Sequence, residues 1–193
     1  RINVRAPVMH NVSNCLAAAA TAHAAGVAPE TIVAGLSEFE SADKRMEMMT
    51  LPGGVRVLND CYNANPASMA AALRTVSGFG EECQHIALLG DMLEMGAEAK
   101  AAHTELGRLA AELGYDQLAV TGSFAGQVAE GVRQAGMAEE RGHVFTDTQS
   151  MADWLYQEMI QAGIGADDWL LLKGSRGMRM ETVLQEIEHR FAT

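Results

Sequence analysis

Three common motifs of nucleotide binding and catalysis are missing from this sequence. It contains no GxxxxGK(S/T), so the chain has no loop of the kind that holds nucleotide phosphates in P-loop proteins. The absence of a GxGxxG after a strand disfavours a dinucleotide-dependent dehydrogenase, and the absence of GxSxG disfavours a serine hydrolase. Lysine is also scarce, since the chain has only Lys44, Lys100 and Lys173. We therefore expect any ATP-driven chemistry to take its phosphate-binding loop from outside this chain.

Cysteines and long apolar runs are scarce as well. Cys15, Cys61 and Cys83 are odd in number and show no CxxC spacing, which predicts neither a disulfide framework nor a zinc site and favours a reducing cytoplasm. No run of 18 apolar residues is present, and the first residues lack the apolar core of a signal peptide, so membrane insertion is not expected. Because the chain begins with Arg1 rather than Met, we expect it to be part of a larger protein.

The composition of the 193 residues is that of a globular protein, with 48% hydrophobic and 20% charged residues. The formal net charge of -11 argues against nucleic acid as a partner, because binding to a phosphate backbone needs a basic face. A small anionic ligand is compatible with this charge only if the cations are gathered locally.

Apolar runs predict six strands that alternate with helices after residue 45. The strands are expected at 46–51, 55–59, 85–89, 117–121, 143–146 and 168–172, and Pro-Gly-Gly at 52–54 predicts a hairpin between the first two. Helices are expected at 11–25, 29–39, 66–78, 97–113, 123–135, 148–161 and 178–191. This alternation predicts a doubly wound α/β domain with a mostly parallel sheet and helices on both faces, at residues 44–193. Residues 1–43 are expected to be the helical end of a preceding domain.

Polar residues are concentrated in the loops that follow the predicted strands, at the edge where open α/β sheets bind ligands. The candidates are Asp60, Asn63, Asn65, Asp91, Glu94, Lys173, Arg176 and Arg179. Each acid or amide has a local alternative, because strand-terminal Asp and Asn also cap helices and form turns. The three cations after the last strand suit a carboxylate or a phosphate, and their alternative is a solvated charged surface.

Four motifs occur in an order and spacing that resemble one enzyme family. They are HNVSNCLAAAA at 10–20, NDCYNANPASM at 59–69, LLGDMLEMGAEA at 88–99 with His103, and LLKGSRGMRME at 171–181. Together they resemble the C-terminal portion of the Mur ligases over essentially the whole chain. The YNANP and GDMLE segments are most similar to the branch of the family that adds D-alanyl-D-alanine. HNxxNxLAA is weaker evidence, since folylpolyglutamate synthases share it.

The resemblance implies that residues 1–43 end a central ATP-binding domain and that residues 44–193 form a Rossmann-like C-terminal domain. The implied reaction uses ATP and Mg²⁺ to convert the terminal carboxylate of UDP-N-acetylmuramoyl-tripeptide into an acyl phosphate, which the amine of D-alanyl-D-alanine then attacks. ATP and Mg²⁺ are expected to be held mainly by the part of the central domain outside this chain. The implied protein is a cytoplasmic monomer, and these 193 residues alone are expected to be inactive.

The resemblance also implies roles for individual residues. The residues with an implied catalytic role are His10, Arg45 and Lys173. The residues implied to contact ATP are Asn11, Asn14, Arg45, Asp60 and Tyr62. The residues implied to contact the acceptor or to lie around it are Asn63, Asn65, Asp91, Glu94, Ser175 and Arg176. The resemblance implies no metal ligand in this chain. Two positions depart from the family: Lys44 replaces a usual Gly, and Cys61 replaces a usual Ser in a change that we expect to be neutral.

Two alternatives remain open on the sequence. The chain could be a stand-alone module that binds a nucleotide or an amino acid, or part of a sister enzyme such as a muramyl-tripeptide or folylpolyglutamate synthetase.

Overall fold

The computed structural model of the chain describes residues 9–38, 46–80, 82–161 and 163–192. Its first elements are two helices, α1 (Met9–Ala24) and α2 (Pro29–Ser37). α1 is terminated by Gly26, which adopts a φ of 83°, while the N–H of Val27 bonds to the carbonyl of Ala22. This is a helix end that glycine favours, because a Cβ would be strained there. The predicted domain boundary between residues 43 and 44 lies outside the described residues.

Six strands form one sheet. They are β1 (Glu47–Thr50), β2 (Arg56–Asp60), β3 (His85–Leu89), β4 (Gln117–Thr121), β5 (Gly142–Phe145) and β6 (Trp169–Lys173). Their order across the sheet is β1-β2-β6-β3-β4-β5. β1 and β2 form the predicted antiparallel hairpin, and the other neighbours are parallel. The predicted mostly parallel sheet is confirmed, and its last strand lies at the centre, between β2 and β3.

Five helices cover the two faces of this sheet. They are α3 (Pro66–Val76), α4 (Ala99–Glu112), α5 (Ala125–Gln134), α6 (Thr148–Ile160) and α7 (Glu181–Ala192). β6 shows how the two faces are divided, since Trp169 and Leu171 pack with α3, α4 and α5, whereas Leu170 and Leu172 pack with α6 and α7. The doubly wound arrangement is therefore confirmed. No helix in the described ranges is both long and apolar enough to cross a bilayer.

Three helices begin later than the sequence pattern predicts, and one of them, α5, is expected from residue 123 and begins at Ala125. The other two each follow a 3-10 turn. α7, expected from residue 178, begins at Glu181, because Arg176–Met178 form a 3-10 turn and Arg179 has a left-handed φ of 51°. α4, expected from residue 97, begins at Ala99 after a 3-10 turn over Gly96–Glu98. In both places the chain makes an extra turn at the end of a strand before the helix starts, and both turns lie at the edge that carries the candidate residues.

Candidate functional site

The carboxyl ends of β2, β6 and β3 lie side by side at one edge of the sheet. The chain leaves β2 towards α3 on one face and leaves β6 towards α7 on the other. Such a reversal of direction is the place where open α/β sheets bind their ligands. Four loops follow β2, β3, β4 and β6 here, at residues 61–65, 90–98, 122–124 and 174–180. The structure thus brings the predicted residues from Asp60 to Arg176 to a single edge.

The ammonium group of Lys173 is buried against Asp60. Its Nζ donates to Asp60 Oδ2 at 2.5 Å and to the carbonyl oxygen of Asn63 at 2.8 Å, and the residue is 1% exposed. The other carboxylate oxygen of Asp60 accepts the N–H of Met46 at 3.2 Å. Both side chains are therefore engaged with protein atoms, and Lys173 Nζ offers no exposed surface to a substrate in this arrangement. The contact to ATP implied for Asp60 stays a prediction.

A capping box holds the loop between β2 and α3 at its α3 end. Asn65 Oδ1 accepts the N–H of Ser68 at 2.9 Å, and Ser68 Oγ accepts the N–H of Asn65 at 3.1 Å. The amide oxygen of Asn65 thus fills the capping role that its sequence context also allowed, and its substrate contact stays a prediction. Tyr62, Asn63 and Asn65 are all exposed, so a ligand can reach these side chains of the loop.

Asp91 ties three loops together from a buried position. Its carboxylate accepts the N–H groups of Ser123 at 2.7 Å and Phe124 at 3.1 Å, and its backbone carbonyl accepts the N–H of Ser175 at 3.0 Å. These bonds connect the loop after β3 to the loops after β4 and β6. The structure therefore shows the capping alternative for Asp91, directed at the turn before α5 rather than at its own helix. Its predicted substrate contact is not tested by this geometry.

His103 is buried in α4 and holds the loop after β3 from the helix side. Its Nε2 accepts the N–H of Met92 at 2.9 Å, so the ring proton must be on Nδ1, which donates to the carbonyl of Ala99 at 2.7 Å. With Nε2 unprotonated, the carboxylate of Asp91, 3.8 Å away, forms no ion pair with it. The ring stacks on Phe124 with centroids 4.7 Å apart. His103 therefore has a structural role at the apolar face of the helix.

The loop after β6 contributes the buried Ser175 and two exposed cations, Arg176 and Arg179. Ser175 is buried, and its Oγ accepts the N–H of Leu93 at 2.8 Å. Arg176 is exposed, with its guanidinium 3.1 Å from the carboxylate of Glu181. Glu94 is also exposed, at a left-handed φ of 63°. Arg176 and Glu94 thus offer charges of opposite sign at the surface of the site, as the acceptor contacts would require.

Protein atoms fill the space between β3 and β6, which sequence reasoning did not foresee. A Cβ on Gly174 would lie 2.8 Å from Met180 Cγ and 3.2 Å from the Cα of Gly90, and Met180 is fully buried. The two backbones approach this closely because both residues that follow the strands are glycines. A ligand at this edge must therefore contact the loops rather than enter between these two strands. The sequence signal for this close approach is the glycine directly after each of these two strands, Gly90 after β3 and Gly174 after β6.

The remaining predicted residues lie in or near the first two helices. Asn14 is exposed on α1, His10 and Asn11 belong to the same helix, and Arg45 lies outside the described residues. Their implied contacts with ATP stay predictions. Within the described ranges, no group of three or more His, Cys, Asp and Glu residues is arranged to hold a metal ion. The described part of the chain therefore does not fit a Mg²⁺ site.

A comparison with known protein families identifies the family of this chain. The family model described as "Mur ligase, glutamate ligase domain" matches residues 44–176. The chain belongs to the Mur ligase family. The match extends from just before β1 to the turn after β6, so it includes the strands and loops that form the candidate edge.

Relatives of this Mur ligase chain are known in several bacteria. The UDP-N-acetylmuramoyl-tripeptide–D-alanyl-D-alanine ligase of Bacillus subtilis (strain 168) is 30% identical over 92% of the chain, and the enzyme of the same name from Escherichia coli (strain K12) is 31% identical over 94%. The chain spans 38% of the length of each of these two relatives.

Solved Mur ligase structures share the fold. A crystal structure of MurF from Acinetobacter baumannii is 30% identical and superimposes with a TM-score of 0.86, covering 97% of this chain and 40% of that chain. MurF from Thermotoga maritima in complex with ADP superimposes over 90% of this chain and 36% of that chain, with a TM-score of 0.71 at 21% identity. At that identity the likeness shows the fold alone.

Proposed function

We propose that this chain is the C-terminal part of an ATP-dependent ligase that joins D-alanyl-D-alanine to UDP-N-acetylmuramoyl-tripeptide in peptidoglycan precursor synthesis. The observation that carries the proposal is the candidate edge itself. The YNANP, GDMLE and KGSR segments, far apart in the sequence, form neighbouring loops there. Relatives that bear the name of this ligase align with more than nine-tenths of the chain.

Under this proposal, residues 1–43 complete the central ATP-binding domain and residues 44–193 form the C-terminal domain. Two features of the first helices support the division. Leu16 on α1 is 63% exposed and Val12 is 39% exposed, while α2 has no buried residue. A pair of helices with so much apolar exposure is expected to pack against further protein. The longer relatives provide such a segment in their remaining length.

The exposed residues of the edge suit an acceptor dipeptide, which carries one carboxylate and one ammonium group. Arg176 can pair with the carboxylate, and Glu94 can hold the ammonium group. The ammonium group then loses a proton, and the resulting amine attacks. Tyr62 and Asn63 would lie where the acceptor and ATP meet. In the proposed reaction the amine nitrogen bonds to the acyl carbon of the tripeptidyl phosphate, and phosphate leaves. This chain contributes positioning and electrostatic stabilisation of the reacting groups.

ATP and Mg²⁺ would be held mainly by the central domain, with Asn11, Asn14, Arg45 and Asp60 as the proposed contributions of this chain to ATP binding. His10 would lie beside the nucleotide. We place the enzyme in the cytoplasm, because cysteines that form no disulfide within the described residues, ATP and a UDP-linked substrate fit a reducing compartment. We also propose that it is a monomer.

Ligation by the full-length protein tests the proposal. Incubation with ATP, UDP-N-acetylmuramoyl-tripeptide and D-alanyl-D-alanine should yield the pentapeptide product by mass spectrometry, with one phosphate released per bond formed. The protein should also be offered other amino acids and dipeptides. If it adds only D-alanyl-D-alanine, it is distinguished from a muramyl-tripeptide or folylpolyglutamate synthetase.

The isolated chain provides the second arm of this test. The 193 residues alone should show no ATP turnover, because they contain no P-loop. Calorimetric titration should likewise show weak adenine-nucleotide binding at most. Tight binding of ATP by the isolated chain would instead favour a stand-alone nucleotide-binding module.

A further inference from the structure

A buried ammonium group must have a structural reason, because removing it from water is unfavourable unless charged and polar partners replace the water. Lys173 is 1% exposed, and its Nζ has three protein acceptors. They are Asp60 Oδ2 at 2.5 Å, the carbonyl of Asn63 at 2.8 Å and the carbonyl of Asp60 at 3.4 Å. An ammonium group has three hydrogens to donate, so these acceptors account for its donors.

All three acceptors belong to one segment, the end of β2 and the loop that follows it. Asp60 and Lys173 are directly paired in the parallel register of β2 and β6, and both are the last residues of their strands. Because side chains alternate along a strand, both lie on the face that α3 covers. The lysine stem therefore runs beside β2, and its Nζ reaches past Asp60 to the carbonyl of Asn63.

The same loop is held at its other end by α3. The capping box of Asn65 and Ser68 holds the end of the loop at the first turn of the helix. Asn63 Oδ1 also accepts the N–H of Ala64 at 2.9 Å, which shapes the turn between these two anchors. Tyr62 and Asn63, whose side chains are exposed, thus lie on a backbone that Lys173 fixes from inside and the capping box fixes from α3.

We infer that Lys173 is a positioning residue that holds the loop at residues 61–65 in place for the nucleotide and the acceptor, acting through Asp60 and the carbonyl of Asn63. This inference rests on the proposed ligase function, and it replaces the catalytic contact that the resemblance implied for this lysine. Lys173 touches neither substrate. Without its ammonium group, the Asn63 carbonyl loses its partner and Asp60 is left as a buried, unpaired carboxylate.

Two variants of the full-length protein test the inference. Lys173→Met keeps the length of the side chain but removes Nζ. Lys173→Met combined with Asp60→Asn also removes the unpaired carboxylate, so folding should be recovered while the Asn63 carbonyl stays without its donor. Lys100→Met is the matched control, because it makes the same chemical change at an exposed lysine on α4.

The first readout is amide hydrogen exchange. In both Lys173 variants, peptides covering residues 60–66 should exchange about tenfold faster than in the wild type, because local opening becomes easier. Peptides covering residues 117–124 should exchange as before, since the Asp91 network holds that loop independently. Lys100→Met should leave both regions unchanged. This readout needs no ligase activity, so it stands even if the proposed reaction is not observed.

The second readout is the kinetics of ligation. The double variant should lose about 10- to 100-fold in kcat/KM, with the shape of the pH–rate profile retained. The KM for D-alanyl-D-alanine is the informative constant, because Asp60 is itself a proposed ATP contact and a higher KM for ATP would not report on Lys173. Loss of one limb of the pH profile at unchanged KM would show that Lys173 transfers a proton, which overturns the inference. Wild-type exchange at residues 60–66 in the double variant, or wild-type kcat/KM, would overturn it as well.

Discussion

The carboxylate of Asp91 occupies the space that a side chain on Gly122 would need. Gly122 follows β4 with a φ of 120°, and a Cβ built on it would overlap all three terminal atoms of Asp91. Through this gap Asp91 reaches the N–H groups of Ser123 and Phe124. The glycine therefore allows an acid from one loop to organise the loop beside it.

Gly122→Ala should destabilise the protein by about 3 kcal/mol, because it combines an unfavourable φ with displacement of the buried Asp91 carboxylate. The shift in the urea unfolding midpoint measures this change. Gly126→Ala is the control in the adjacent helix α5, where a Cβ would meet nothing within 4 Å. It should stabilise the protein by about 0.5–1 kcal/mol through helix propensity. Equal midpoints for the two variants would contradict the role given to Gly122.

Helices α4 and α5 are in backbone contact through two glycines. A Cβ on Gly131 would overlap the carbonyl oxygen of Thr104, and one on Gly107 would overlap that of Val128. Gly131→Ala should therefore push the helices apart and lower the free energy of unfolding by about 2 kcal/mol, as over-packing of a core does. This loss should exceed the gain that alanine brings through its higher helix propensity. A lower thermal unfolding midpoint than that of Gly126→Ala, in the same helix, would show the clash. An unchanged midpoint would mean that the helices can move apart freely.

The capping box at α3 predicts equal effects of two substitutions. Asn65→Ala and Ser68→Ala should each destabilise the protein by about 1 kcal/mol, because each removes part of the reciprocal cap. Ser77→Ala, at the other end of the same helix, should change the unfolding free energy less. Steady-state kinetics separate the two roles of Asn65: a raised KM in Asn65→Ala that is absent in Ser68→Ala would add a substrate contact to the cap.

Tyr115 makes stability depend on pH in the alkaline range. Burial raises the pKa of its phenol above the ordinary value near 10, and its Oη donates to the carbonyl of Leu73 at 3.0 Å. Above a pH of about 10 the unfolded chain loses this proton while the native protein keeps it, so stability falls as pH rises.

Tyr115→Phe should cost about 1 kcal/mol at neutral pH, because the carbonyl of Leu73 loses its partner. The difference in unfolding free energy between variant and wild type should then narrow above a pH of about 10. Urea titrations between pH 7 and pH 11 measure both effects. Tyr156→Phe is the control, because Tyr156 on α6 is only partly buried, whereas Tyr115 is fully buried. A difference that stays constant over this range would contradict the assignment.

Much of the fold follows from local signals in the sequence. The strands predicted at 85–89 and 117–121 match β3 and β4, because an apolar run bounded by turn residues needs no distant partner to be recognised. Pro-Gly-Gly predicted the hairpin of β1 and β2 for the same reason. The starts of α4 and α7 were less predictable, since the 3-10 turns before them depend on contacts made at the end of the sheet.

Strand order decided the rest of the candidate site. The sequence places Asp60 and Lys173 at strand ends, 113 residues apart, but their contact exists only because β6 lies beside β2 in a register that pairs them. The capping contacts of Asp91 likewise exist only because the loop after β4 lies within reach of its carboxylate, and its substrate contact stays a prediction. Local propensity and periodicity therefore determined which elements form and which loops carry polar residues. The tertiary structure determined the partners of those residues, because hydrogen bonds between distant segments depend on how the strands are arranged.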